Sequence, residues 1–270
     1  MTMAVLSLGA GIQSSAILLM SDRGMLPKLN CAIFADTGWE PQAVYDQLAW
    51  LEEHVGIPVH RVTCGRSLRD DVAKAEVRGV KAQGATYMPM PVFTETGMLR
   101  RQCTKNYKIL PIEKYIRREL LGLKFRQRAP RDVIVQEWLG ISSDEASRAR
   151  TSKHYWLEFA YPLLGIPKDV LPKTWSRLMC EDWLRAEYPG REWVRSACIG
   201  CPYRSNSEWR AVKAVPVEWQ DAVEVDRAIR KSGGNGDVYL HRAHVDLDRA
   251  DLGEDQAEIW GEECAGVCGV

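Results

Sequence analysis

The apolar run Ala4-Val-Leu-Ser-Leu8 stops at Gly9, and after Ala10 and Gly11 a stretch from Ile12 to Met20 has helical character, with Ser14 and Ser15 in its first turn. This passage from a strand into a helix through two glycines constrains the fold more than any other feature of the chain. Small residues let the backbone turn tightly and approach a bound group closely. The alternation continues over the first ~75 residues, as a parallel sheet covered by helices requires. Cys31 to Ala35 reads as a second strand ending at Asp36-Thr-Gly38. A helix from Pro41 to His54 follows, with Val44, Leu48, Leu51 and Val55 near helical spacing. Val59 to Thr63 reads as a third strand, and Ser67 caps a helix expected to run to about Val77.

Beyond Arg78 the pattern breaks. Glycines with Pro89 and Pro91 predict a loop to Leu99, of a length often used as a lid or binding segment. The segment Arg100–Arg131 is helical in its middle and dense in positive charge. Val133 to Leu139 restarts a strand that ends at Gly140, a helix is expected from Lys168 to about Tyr188, and Cys198-Ile-Gly-Cys201-Pro202 follows. Ser232-Gly-Gly-Asn-Gly236 marks a break before an acidic tail. Three regions result: an α/β domain over 1–165, a helical cysteine-bearing region over 166–232 and a flexible tail over 233–270. Trp175, Trp183, Trp193, Trp209 and Trp219 are read as anchors of the helical core.

Composition excludes several classes. With 46% hydrophobic and 27% charged residues, the chain has enough apolar material to fold rather than stay disordered. Apolar runs such as Ala16 to Met20 fall far short of the ~18–20 residues of a membrane span. The N-terminus lacks the pattern of a secretory signal, so a cytoplasmic protein with no membrane association is expected. The 36 basic and 36 acidic residues balance, which excludes overall basicity but not a local basic face.

The loop itself carries chemistry. The N–H groups of such a turn and of the following helix N-terminus point at an anion, aided by the helix dipole, and Ser14 and Ser15 add hydroxyls. It is not a Walker A loop, because no Gly-Lys-Ser/Thr follows, nor a dinucleotide fingerprint, because Ser14 stands at the third glycine position. Among the eight cysteines, Cys31 and Cys64 read as strand residues acting as small hydrophobes. Cys198-x-x-Cys201 fits a zinc half-site, a redox pair or a cluster half-site, with Cys264-x-x-x-Cys268 as a second pair for zinc. His54, His60, His154, His241 and His244 lack ligand spacing and read as core or surface residues.

Five ordered segments carry a resemblance. Ser7-x-Gly9-x-Gly11-x-Gln13-Ser14-Ser15 resembles the PP-loop of the ATP pyrophosphatases and sulfonucleotide reductases, with Ala10 in place of a glycine and Gln13 in place of an aspartate. Phe34-Ala-Asp36-Thr37-Gly38-Trp-Glu40 resembles the second-strand motif of the phosphoadenosine phosphosulfate reductase branch. Cys103 to Pro111 is similar to a Cys-x-x-x-Lys-x-x-Pro segment, with Lys108 matching the lysine after a one-residue slip. Gly140-Ile141-x-x-Asp144-Glu145-x-x-Arg148 and the Cys198–Cys201 pair complete the set, over residues 4–215.

The resemblance implies the adenine-nucleotide α-hydrolase fold, a Rossmann-like doubly wound parallel sheet with a mostly helical C-terminal part. It implies that Ser7, Gly9, Gly11, Gln13, Ser14 and Ser15 hold the pyrophosphate of ATP with Mg2+, and that Asp36 and Gly140 lie beside the nucleotide. Cys103, Cys198 and Cys201 are implied as ligands of a 4Fe–4S cluster. The leading expectation is a sulfurtransferase that adenylates a nucleotide or nucleic-acid acceptor. Its partners would be tRNA or DNA on the Arg100–Arg131 segment, a sulfur donor or reductant, and a second copy in a homodimer. One alternative is a sulfonucleotide reductase with Cys264, in Glu263-Cys264, as its nucleophile. Another is a non-catalytic nucleotide-binding protein with a structural zinc.

Overall fold

A computed structural model of the 270-residue chain describes residues 2–75, 88–99, 102–167, 170–232 and 236–253. In chain order, β1 (Thr2–Leu8), α1 (Ile12–Asp22), β2 (Cys31–Asp36), α2 (Gln42–His54), β3 (Val59–Thr63) and α3 (Leu68–Ala73) alternate as the sequence pattern predicts. The Ser67 side chain accepts a hydrogen bond from the Asp70 amide and caps α3, which ends at Ala73. A ribbon of β4 (Phe93–Thr94) and β5 (Gly97–Met98) lies where the prolines indicated only a loop. Residues 76–87 of that expected loop are outside the described residues.

One helical run follows, with α4 (Leu110–Tyr115) flanked by the wider π-helical stretches Thr104–Ile109 and Ile116–Leu120. Pro111 has no amide to bond the carbonyl four residues back, and the first wide turn ends just before it. Then come β6 (Ile134–Trp138), β7 (Leu157–Ala160), α5 (Arg177–Glu187), α6 (Asn206–Lys213), α7 (Pro216–Ile229) and β8 (Val238–Tyr239). The helix expected from Lys168 is therefore confined to Arg177–Glu187. Pro172 and Ser176 account for the late start, the first by breaking the pattern and the second by accepting from the Met179 amide as an N-cap.

The central sheet has five strands in the order β3-β2-β1-β6-β7, all parallel. Alternate residues feed opposite faces. Leu6, Leu8, Ala32 and Phe34 join α1, α2 and α5 in one core, whereas Val5, Cys31, Ile33 and Ala35 meet Ile112 and Ile116 of the Thr104–Leu120 helix in another. The chain is thus α/β, with helices on both faces. Cys31 is an ordinary core residue, and burial pushes its thiol up to about 11.

A third core gathers α3, α6 and α7 around Trp39 and Trp209, next to the small antiparallel sheet β5-β4-β8. Of the segment expected as a tail, residues 236–253 contribute β8 and the buried Val238, Leu240 and Leu247 to this core. Residues 254–270 are outside the described residues. Among the described residues, no helix is long and apolar enough to cross a membrane.

Candidate nucleotide-binding site

The sheet reverses direction at β1: the chain moves outward through β2 and β3, then returns to place β6 on the other side. Ligands of open α/β sheets sit in the crevice beyond the strand C-termini at such a switch point. The Gly9–Gly11 turn is there, at the end of β1. Gly11 is the N-cap residue of α1 and makes no side-chain cap bond. The first amides of this eleven-residue helix have no partner within the helix and carry the positive end of its dipole. Ser14 braces the turn, its Oγ accepting from the Gly9 amide at 3.2 Å and donating to the Gly11 carbonyl at 3.3 Å. Gly140, at the end of β6, backs onto the same helix start. A Cβ on Gly140 would lie 3.1 Å from the Ser14 nitrogen.

Two elements hold this turn from behind. Gln47 of α2 donates through Nε2 to the Ala10 carbonyl at 2.8 Å and to Ser15 Oγ at 3.3 Å, while its Oε1 accepts from the Val194 amide at 3.0 Å. Ala10 itself has a left-handed φ of 51°, the conformation for which glycine is the ordinary choice. Ser196 then packs over the loop. A Cβ on Gly11 would come within 3.0 Å of the Ser196 backbone nitrogen, and the buried Ser196 hydroxyl has no hydrogen-bond partner among the described residues. Gln13 reaches Ser142, just past β6, at 3.5 Å.

Charged groups lie beneath the turn. The Ser7 hydroxyl donates to the Glu137 carboxyl on the neighbouring strand β6. Glu137 is buried, and desolvation pushes its carboxyl up to about 7 against the lowering effect of that hydrogen bond. On the other side, the Lys108 ammonium and the Glu40 carboxylate form a 3.3 Å ion pair with side chains 6% and 0% exposed. Glu40 also accepts from Thr37 Oγ1 at 3.1 Å. Lys108 lines a small cavity with Ser7, Leu8, Gly9, Ala35 and Ile112, of about 10 Å³. That is room for one water, so a phosphate reaches this floor only if side chains withdraw. Asp36 is committed to its own turn: Oδ1 accepts from the Gly38 amide at 2.7 Å and from the Tyr45 hydroxyl at 2.8 Å.

The Cys198–Cys201 turn joins the same neighbourhood. Cys198 Sγ lies 3.4 Å from Thr37 Oγ1 and 3.6 Å from Glu40 Oε1. The Arg204 guanidinium is buried and donates to the carbonyls of Ala197, Cys198 and Ile199, which fixes the turn. Gly200 is pressed onto the Trp39 indole so closely that a Cβ would lie 2.2 Å from Cη2. Gly200→Ala is therefore expected to force the turn off Trp39 and to cost about 3 kcal/mol, at the upper end of ordinary overpacking. Thermal unfolding measures it, and a loss below about 1 kcal/mol would show that the contact relaxes at little cost.

Cys103 and Cys198 both adjoin the core around Trp39. However, among the described residues no group of three His, Cys, Asp or Glu side chains is close enough to hold a metal ion. Cys264 and Cys268 lie outside the described residues, as do Arg100 and Arg101 of the basic segment. His241 is a core residue, as read from the sequence. It pairs through Nε2 with Asn206 at 3.2 Å, and burial depresses its imidazole to about 4.

Gln47, Glu137 and Ser196 were not singled out from the sequence, whereas Glu40 closes the second-strand motif. Two carried a signal. Gln47 interrupts the apolar face of α2 beside Leu48, and Glu137 interrupts the strand run Val133–Leu139, each a polar residue where burial demands a partner. Compared with known proteins, the chain matches no family model and no curated protein sequence.

Proposed function

We propose that the chain binds ATP with its phosphates over the Gly9–Ser15 turn and transfers the adenylyl group to a nucleotide or nucleic-acid acceptor, releasing pyrophosphate. This rests on the resemblance of the Ser7–Ser15 motif to the PP-loop of the adenine-nucleotide α-hydrolases. The observation that carries it is the position of that motif, at the switch point between β1 and β6 with the uncapped start of α1 above a buried Lys108.

In this reading the α1 amides bind the β- and γ-phosphates. The hydroxyls of Ser14 and Ser15 hold the loop in shape, and the Lys108–Glu40 pair forms the floor beneath it. The acceptor oxygen attacks the α-phosphorus. The bond from that phosphorus to the bridging oxygen breaks, and the acceptor's proton leaves with a base or with water. Mg2+ on the triphosphate would supply charge neutralisation and draws its ligands mainly from phosphates and water. An iron–sulfur cluster, as the resemblance implies, would be held by Cys103, Cys198 and Cys201 and would supply the sulfur-transfer chemistry that follows adenylylation.

The nucleotide product tests the reading. Incubation with ATP, Mg2+ and candidate acceptors is expected to yield AMP or adenylylated acceptor together with pyrophosphate. Release of ADP and inorganic phosphate would place the broken bond elsewhere and contradict it.

A further inference from the structure

The 117–131 part of the basic segment does not lie at the candidate nucleotide site. The helix Thr104–Leu120 starts beside Glu40 at the C-terminal edge of the sheet and descends to the opposite edge, where residues 121–133 lead into the N-terminus of β6. Residues 150–156 likewise lead into the N-terminus of β7. Strand β1 has seven residues, so roughly 20 Å separate this surface from the Gly9–Gly11 turn.

Phe125 projects from this surface and is 75% exposed. A lone exposed apolar residue is ordinary, but two guanidinium groups stand against this ring. Arg118 stands 5.6 Å from its centroid and Arg126 5.2 Å. The loop has a defined shape. Arg117 donates to the Gln127 carbonyl at 2.6 Å, Arg118 to the Leu123 carbonyl at 2.9 Å, and the Lys124 amide to Gln127 Oε1 at 2.9 Å. Tyr155, 61% exposed, is tied to the loop by its hydroxyl, which donates to the Ala129 carbonyl.

A charged face that is merely solvated interleaves its cations with carboxylates. Here Arg117, Arg118, Lys124, Arg126, Arg128 and Arg131 make no ion pair with any described residue, although Glu119 and Asp132 are close in sequence. Unpaired arginines around exposed aromatic rings match the two needs of single-stranded nucleic acid: cations along the phosphate backbone and flat faces on which bases stack.

We infer that the 117–131 surface, centred on Phe125, is a docking site for single-stranded nucleic acid. Because it lies a strand length from the nucleotide site, it would anchor a flanking part of a long strand rather than the reacting nucleotide. The inference does not depend on adenylyl transfer, since binding is measured without ATP.

The test is fluorescence anisotropy of a labelled, mixed-sequence single strand of about 20 nucleotides, long enough to cover one binding groove, titrated with the full chain across a range of salt concentrations. Phe125→Ala is expected to weaken binding by roughly 5- to 100-fold with the salt dependence unchanged, and Phe125→Trp to restore it. Arg126→Ser combined with Arg128→Ser should weaken binding and reduce the slope of log K against log salt by about 1.4. Both variants alter exposed side chains, and unchanged melting temperatures would verify their folding. Absence of binding, or binding that none of these changes moves, would overturn the proposal. Loss in the arginine variant with no effect of Phe125→Ala would also overturn it, because that is a generic anion-attracting surface without base stacking.

Discussion

Lys108→Met is expected to destabilise the protein by about 3–5 kcal/mol, the cost typical of removing one partner from a buried ion pair. The ammonium and the Glu40 carboxylate are 3.3 Å apart, with Glu40 fully shielded from water. One Glu40 oxygen, Oε2, already has no hydrogen-bond partner among the described residues. Loss of Lys108 leaves the carboxylate with Thr37 and the Cys198 thiol as its remaining contacts in the site, neither able to balance a charge. For a chain of this size the midpoint of thermal unfolding should fall by roughly 10 °C. The double variant Glu40→Gln with Lys108→Met removes both charges and should recover most of the loss, since an apolar or neutral replacement of a whole pair is often close to neutral. If the double variant is as unstable as the single one, the damage comes from packing and not from an unpaired charge.

The second large effect concerns pH. The Glu137 carboxyl is held up to about 7 by desolvation between β1 and its own strand, against an ordinary value of 4.5. Below pH 4.5 the group is protonated in both folded and unfolded chains and contributes nothing to pH dependence. Between that value and about 7 the unfolded chain releases the proton while the folded chain keeps it. Stability therefore falls as pH rises through this window and levels off above it. The full difference is about 3 kcal/mol, from 1.36 kcal/mol per unit. Glu137→Gln keeps the shape and a polar partner for Ser7 but removes the titration. Relative to the parent chain, the variant should gain less than about 1 kcal/mol at pH 5 and about 3 kcal/mol at pH 8, measured by urea unfolding at each pH. A gain that is the same at both pH values would show that Glu137 does not titrate in this range.

Much of the fold was legible because its signals are local. The run Ala4–Leu8, the glycines that end it, the α2 spacing and the Ser67 cap each occupy a few consecutive residues, and each appears in the structure as expected. Strand β7 was not legible, since the four residues Leu157–Ala160 carry too little periodicity to stand out. The ribbon β4–β5 was hidden by the prolines before it, and its third strand β8 lies more than 130 residues away in sequence.

The candidate site divides in the same way. Gly9, Gly11, Ser14 and Gly140 converge on one turn because the strand order brings β1 beside β6, and the loop motif shows which residues will face it. The pairs Ser7–Glu137, Lys108–Glu40 and Gln47–Ala10 form across the fold, and no spacing in the chain announces them. The basic segment shows the reverse case. Its charge was plain from the sequence, but only the descent of one helix along the sheet reveals that its 117–131 part lies at the edge opposite the turn.

The central claim is that the turn between β1 and α1 is a nucleotide phosphate site. Calorimetric titration with Mg2+ and α,β-methylene ATP, which cannot be cleaved between its α- and β-phosphates, tests it most directly when the parent chain is compared with Gly140→Val. A side chain at position 140 would press on the Ser14 amide from about 3.1 Å and on Gln13 from about 3.4 Å, and so disturb the start of α1. The account predicts one site per chain in the parent and at least a tenfold loss of affinity in a variant that remains folded by circular dichroism, a loss of about 1.4 kcal/mol or more. No binding to the parent chain, or equal binding to both, would contradict it.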